Sequence, residues 1–233
     1  MAVALITGGS RGLGLALGRA LASEDHPWRL VVDARGEEIN AAAAELSTLT
    51  DVVAIRGDVG DEAHRVALIA AANSLGGLDV LVNNASLLGP SPQPRLADYP
   101  LNVLEQVYGV NVLAPLRLVQ LALPLLRESA GRILNVTSDA AMEPYGGWGG
   151  YGSSKAALEQ LTNILAVEHP ELRVYRVDPG DMNTQMHQEA FPGEDISDRP
   201  PPESSVPGLL RLIYGELPSG RYRTADLPVA VQP

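Results

Sequence analysis

A doubly wound α/β fold, three layers with helices on both faces of a parallel sheet, is the architecture this sequence predicts. Two observations carry the expectation. Short β-branched runs alternate with longer Ala/Leu-rich segments of helical period, and a glycine-rich turn follows the first of the runs. The first strand is the apolar run Val3–Thr7, which breaks at glycine and passes into a helix over Gly12–Ser23. Leu30–Asp33 is the second strand and Glu37–Leu49, rich in alanine, the second helix. Val52–Gly57 and Asp61–Leu75 repeat the unit, and Val80–Asn83 is a fourth strand, short and wholly apolar up to its last residue. Pro100–Glu128 reads as a long helix, Arg132–Thr137 as a strand, Gly152–Val167 as a helix and Arg173–Asp178 as a strand. Gly220–Arg223 is a weaker final strand. No repeat or linker interrupts the series, so one domain over residues 1–233 is expected. Two Pro-rich stretches, Gly89–Pro100 and Pro192–Pro207, follow strand ends, where open α/β sheets form their ligand crevice.

Composition narrows the function classes. Of 233 residues 45% are hydrophobic and 19% charged, enough to build a core and too few charges for a disordered chain. The net charge of −11 disfavours phosphate backbones and anionic lipid, so neither nucleic acid nor a membrane is expected as partner. The longest apolar run, Val110 to Leu126, is cut by Pro115, Arg117 and Pro124. Residues 1–6 lack the basic lead-in of a signal peptide. The absence of cysteine removes disulfides, thiol nucleophiles and Cys-ligated zinc, and fits a cytoplasmic protein; no metal site is expected. Sixteen of the seventeen basic residues are Arg, and the one lysine is Lys155.

Three segments carry chemistry. In Thr7-Gly8-Gly9-Ser10-Arg11-Gly12-Leu13-Gly14, glycines at 8, 12 and 14 let the backbone turn tightly and approach a pyrophosphate held at the positive end of the following helix. Tyr151-Gly-Ser-Ser-Lys155 places a phenol and an ammonium on one face of a helix start. A phenol yields its proton poorly at neutral pH unless a nearby cation stabilises the phenolate, which Lys155 would do. Thr137-Ser138 closes an apolar strand, and the Ser138 hydroxyl suits either a carbonyl-polarising donor or a turn cap.

Together with Asp58-Val59, Asn83-Asn84-Ala85, Asn111-Val112 and Pro179-Gly180 with Thr184, these segments make the sequence resemble the short-chain dehydrogenase/reductase family over nearly its whole length. The resemblance implies a Rossmann-fold, NAD(P)-dependent oxidoreductase acting on a carbonyl or secondary alcohol, with Tyr151 as proton donor or acceptor and Ser138 as its hydrogen-bonding partner. It implies that Lys155 binds the nicotinamide ribose and lowers the Tyr151 pKa, and that Asn111 holds a helix irregularity and a relay water. Gly8, Ser10, Arg11, Gly12, Leu13 and Gly14 would form the cofactor loop. Asp58 with Val59 would meet the adenine, Asn84 and Ala85 would lie beside the adenosine ribose, and Pro179, Gly180 and Thr184 would flank the carboxamide. A non-catalytic dinucleotide sensor of the same fold is the alternative, which the intact Asn111, Ser138, Tyr151 and Lys155 set argues against. A sugar-nucleotide epimerase would need a longer C-terminal region. The chain departs from the family pattern at Ser86, usually Gly, at Asp139, and in lacking the Val-Asp-Gly-Gly ending. The last departure puts the usual tetramer in doubt and leaves a homodimer, through Pro100–Glu128 and Gly152–Val167, as the expected minimum.

Cofactor choice turns on the end of the second strand. An acid there bonds the ribose of NAD, whereas an Arg accommodates the 2′-phosphate of NADP. Both Asp33 and Arg35 are present; with Arg11 in the loop and Asp33 slightly early, NADP(H) is favoured and NAD(H) is the alternative. Met142, Tyr145, Trp148, Met182, Met186 and Phe191 cluster around the expected crevice and suggest an apolar or flat carbonyl substrate. Residues 182–207, with no helical or strand period, are expected to form a substrate lid.

Overall fold

The computed structural model of the chain describes residues 1–227, so the end of the expected 1–233 domain, residues 228–233, lies outside the described residues. Seven parallel strands form its sheet: β1 (Val3–Ile6), β2 (Arg29–Ala34), β3 (Val52–Arg56), β4 (Val80–Asn83), β5 (Arg132–Val136), β6 (Arg173–Asp178) and β7 (Gly220–Arg223). Their order is β3-β2-β1-β4-β5-β6-β7, with Ala4 paired to Leu30 on one side and to Val80 on the other. Every expected strand is present within a residue or two of its reading, the weak last one included.

Both faces of the sheet are covered, which explains why its central strands are continuous apolar runs instead of alternating ones. Successive side chains of a strand point to opposite faces. Ala4 and Ile6 therefore join a core with Leu13, Leu17 and Leu21 of α1 (Gly12–Ala22), Ile39 and Leu46 of α2 (Glu38–Leu46), and Leu209 and Leu212 further along the chain. Val3 and Leu5 face the other way, into a core with Leu68 of α3 (Glu62–Ser74) and with Leu118, Val119, Ala122 and Leu126.

The expected helix Pro100–Glu128 is not uniform. It runs as α4 (Leu101–Tyr108), a π turn (Gly109–Leu113) and α5 (Ala114–Glu128). The stretch Leu101–Glu128 is long and apolar enough to span a bilayer, yet α5 lays its Leu118, Ala122 and Leu126 against the sheet. The helix expected from Gly152 begins earlier, as α6 (Gly149–Glu168), and this puts Tyr151 in its first turn.

One expectation needs correction. The segment 182–207 is not without period: α7 (Gln185–Ala190) lies within it, opened by Thr184, whose hydroxyl accepts from the His187 amide at 3.2 Å. A 3₁₀ turn at Pro202–Ser205 then leads into α8 (Val206–Tyr214), whose Val206, Leu209, Leu212 and Ile213 are buried against the face that α1 covers.

Candidate active site

The carboxyl ends of six strands open into one cavity of ≈ 930 Å³ at the point where the strand order reverses between β1 and β4. After β1 comes the glycine loop. Gly8 and Gly12 have φ of +69° and +55°, in the left-handed region, and a Cβ on Gly14 would lie 2.3 Å from the Gly8 carbonyl oxygen. Gly14 therefore serves the closure of the loop on itself, while Gly8, Ser10, Arg11, Gly12 and Leu13 line the cavity. Arg11 precedes α1 with an extended backbone and gives it no side-chain cap, which leaves the first-turn amides open to a ligand. This cradle fits a pyrophosphate.

Asp33, at the end of β2, lines the cavity yet is 1% exposed, and each of its carboxylate oxygens already has a partner. Oδ1 accepts from the Gly8 amide at 2.8 Å, and Oδ2 lies 2.9 Å from Nε2 of the buried His64 on α3. Arg35 is exposed, 4.0 Å from Asp58, and Arg11 lies 3.8 Å from Glu38 and bonds Gln185. Arg11 and Arg35 thus make the basic end of the cavity. Asp58 lines it too; the helix cap there is Asp61, while Asp58 accepts from the Gly60 amide. Val59, Asn84 and Ala85 complete this wall. Asn84 Nδ2 donates to the carbonyls of Thr7 and Gly8, which fixes the β4 end to the glycine loop.

Tyr151 and Lys155, one turn apart on α6, form the opposite wall. Lys155 is 2% exposed, donates from Nζ to the Val136 carbonyl at 2.8 Å, and sits 5.5 Å from the Tyr151 ring centre. Burial pulls its ammonium down to about 7. Burial also pushes the Tyr151 phenol up to about 12; the Ser86 and Ser138 hydroxyls hold it down, while Asp139 and Asp178 add to the rise. Ser138 is indeed a cap, its Oγ accepting from the Ala140 amide at 3.1 Å, and it donates its own proton to Asp139 Oδ1 at 2.9 Å. Asn111 lies in the π turn with no exposure and does not reach the cavity wall. Its Oδ1 accepts from the Leu87 amide and the Ser86 hydroxyl, and its Nδ2 donates to the Leu87 carbonyl and Ser154 Oγ.

Pro179, Gly180 and Thr184 line the cavity beyond β6, and the Thr184 methyl lies close beside Gly12, 3.6 Å from where a Cβ there would stand. Of the expected substrate contacts, Trp148, Met182 and Met186 line the wall. Met142 and Tyr145 do not: they are 64% and 46% exposed, carried outward by the turn after Ser138. Phe191 stands behind Trp148, with ring centres 5.7 Å apart. Ser86, Leu88, Asp178 and His187 also line the cavity and were not among the expected site residues; only Ser86 carried a signal, as a departure from the family pattern.

A nucleotide cradle at one end and a buried phenol-ammonium pair at the other suit hydride transfer beside a proton donor. Comparison with known proteins agrees. The family model for short chain dehydrogenases matches residues 2–195. Benzil reductase ((S)-benzoin forming) of Saccharomyces cerevisiae is 33% identical over 216 residues, 89% of this chain and 80% of that one. Sepiapterin reductase of Mus musculus is 34% identical over 204 residues, 80% of this chain and 77% of its own. Among solved structures, the alcohol dehydrogenase of Thermococcus sibiricus complexed with 5-hydroxy-NADP is 27% identical and superposes with a TM-score of 0.85 over 100% of this chain and 98% of its own. The chain belongs to the short-chain dehydrogenase family and is a nicotinamide-dependent oxidoreductase acting on small molecules.

Proposed function

We propose that the protein interconverts a flat or apolar ketone and its secondary alcohol, with NADP(H) favoured over NAD(H) and Tyr151 as the acid–base group. The observation that carries this reading is the burial of Tyr151 beside the chain's single lysine, on the wall opposite the glycine loop. The bound nicotinamide would supply or accept the hydride. The Tyr151 phenol would give its proton to the substrate oxygen in reduction and take it back in oxidation, with Ser138 beside it. Lys155 has three N–H donors, one of them committed to Val136; the others would hold the ribose hydroxyls, and its charge would ease phenolate formation. Asn111, tied to Leu87, Ser86 and Ser154, would keep the β4 end and α6 in register.

NADP(H) is supported by the exposed Arg35 and Arg11 and by the engagement of Asp33 with Gly8 and His64. Trp148, Met182, Met186 and Leu88 support an apolar, flat substrate, in keeping with the relatives named for benzil and sepiapterin reduction. Exposed apolar side chains at Leu101, Leu113, Ile164 and Val167, on the helices that the sequence points to, support a homodimer. The direct test is a panel of aromatic and aliphatic ketones with NADPH and NADH, run alongside Tyr151→Phe. Turnover should fall by at least ~10²-fold in the variant with cofactor affinity nearly unchanged. Near-normal turnover would remove Tyr151 from the mechanism.

A further inference from the structure

Ser86 stands where the family pattern most often has glycine, and the structure gives its hydroxyl a specific place. It lines the cavity with Tyr151 and donates to Asn111 Oδ1 at 3.1 Å. The hydroxyl expected to serve Tyr151, that of Ser138, has its one proton directed to the Asp139 carboxylate at 2.9 Å, a stronger acceptor than any neutral oxygen. Asp139 is itself held, accepting from the Ala140 amide at 2.8 Å and the Tyr145 hydroxyl at 3.0 Å, so it is not free to swing away.

We propose that Ser86 is a positioning residue for Tyr151, a hydroxyl that turns between Asn111 and the phenol and stabilises the phenolate in place of Ser138. This rests on Tyr151 as the acid–base group. With the phenol protonated, the Ser86 proton rests on Asn111 Oδ1, and its lone pairs are open to the phenol proton. Once the phenol has passed its proton to the substrate oxygen, the Ser86 hydroxyl rotates to donate to the phenolate. No proton leaves Ser86. Asn111 Oδ1 is not orphaned by the rotation, because the Leu87 amide still donates to it at 2.8 Å, and its Nδ2 keeps Leu87 and Ser154. The hydroxyl is thus free to move without a desolvation cost elsewhere. The Ser86 hydroxyl favours the phenolate form of Tyr151, as this role requires.

The titratable groups that bear on the phenol are Lys155 on its own helix, Asp139 after β5 and Asp178 at the end of β6, and Asp181, His187 and Glu189, at or before α7, line the same cavity. None is altered by changing Ser86. The test compares wild type, Ser86→Ala, Ser86→Thr and Tyr151→Phe by the pH dependence of kcat for alcohol oxidation. In parallel, NMR of ¹³Cζ-labelled tyrosine follows Tyr151, its resonance identified by the Tyr151→Phe variant. Ser86→Ala should raise both the midpoint of the oxidation limb and the Tyr151 titration by about half to one pH unit, the worth of one hydrogen bond. Ser86→Thr should restore both, and cofactor affinity should be unchanged in each. Ser86→Gly replaces the alanine variant should that one fail to fold. Profiles of Ser86→Ala that superimpose on wild type, with Tyr151→Phe inactive, would overturn the proposal and leave the acid–base reading standing. Should Tyr151→Phe stay active, the acid–base reading fails, and the NMR titration, which needs no turnover, decides the Ser86–Tyr151 coupling alone.

Discussion

Replacing Lys155 by methionine should stabilise the cofactor-free protein while abolishing its turnover. The ammonium is buried, and among the described residues no carboxylate pairs with it and its one hydrogen-bond partner is the Val136 carbonyl. Burial takes its pKa from 10.5 to about 7. Between those values the folded state binds fewer protons than the unfolded one, so wild-type stability rises with pH across the window. The penalty is complete below about 7 and gone above about 10.5. At about 1.4 kcal/mol per pH unit the shift sets a ceiling of about 5 kcal/mol. Loss of the bond to Val136 takes back ~1 kcal/mol, and partial solvation of the site takes more, leaving a net gain of about 2–3 kcal/mol at low pH. For a domain of this size that is roughly 5–10 °C in Tm. Melting curves of wild type and Lys155→Met, recorded without cofactor around pH 6 and around pH 10, test the sign directly. The difference should be large at the lower pH and vanish, or reverse slightly, at the higher. A gain independent of pH, or a loss at the lower pH, would refute the argument that an uncompensated buried charge is stored there.

Three other outcomes are expected. Arg35→Ala should weaken NADPH about ten- to thirtyfold, the lower part of the range for a charge-assisted bond because Arg35 is exposed, and leave NADH nearly unchanged; equal shifts in the two dissociation constants would refute the assignment. In hydrogen exchange, amides from α7 to Pro202 should be weakly protected in the free protein, apart from the buried Ile196, and slow when cofactor and substrate bind together; strong protection without ligands would mark a fixed wall instead of a lid. Sedimentation at micromolar concentration should show a dimer, and Val167→Glu should weaken it if the exposed apolar side chains of α6 are covered; a wild-type monomer would count against the interface.

The sheet and its flanking helices were legible because each is an apolar run or period long enough to stand out, from Val3 to Asp178. The helix α7 was not: its six residues, Gln-Met-His-Gln-Glu-Ala, span under two turns and bury no residue, so no period exists to read. The helix α8 did carry a signal, since Val206, Leu209, Leu212 and Ile213 share one face, but the prolines before it hid its start. In the site, Tyr151, Lys155 and the glycine loop are local patterns that spacing alone can reveal. What spacing cannot reveal is which partner a side chain has already taken. The Asp33–His64 contact joins residues 31 apart in sequence, Ser86 meets Asn111 across 25, and Tyr145 stands outside the cavity with its hydroxyl on Asp139.

The enclosure of Asp33 between the Gly8 amide and His64 bears on redesign of cofactor preference. In an enzyme whose ribose-reading acid is free, deleting the neighbouring arginine can be enough to turn the preference toward the dephosphorylated cofactor. Here that deletion only subtracts, because Asp33 is already a structural bolt between the glycine loop and α3. A new acid would have to be built on the open rim, at Ala34 or Arg35, with Asp33 left as it is. Asp33→Asn would loosen the loop that grips either cofactor and so lower affinity for both without changing their ratio.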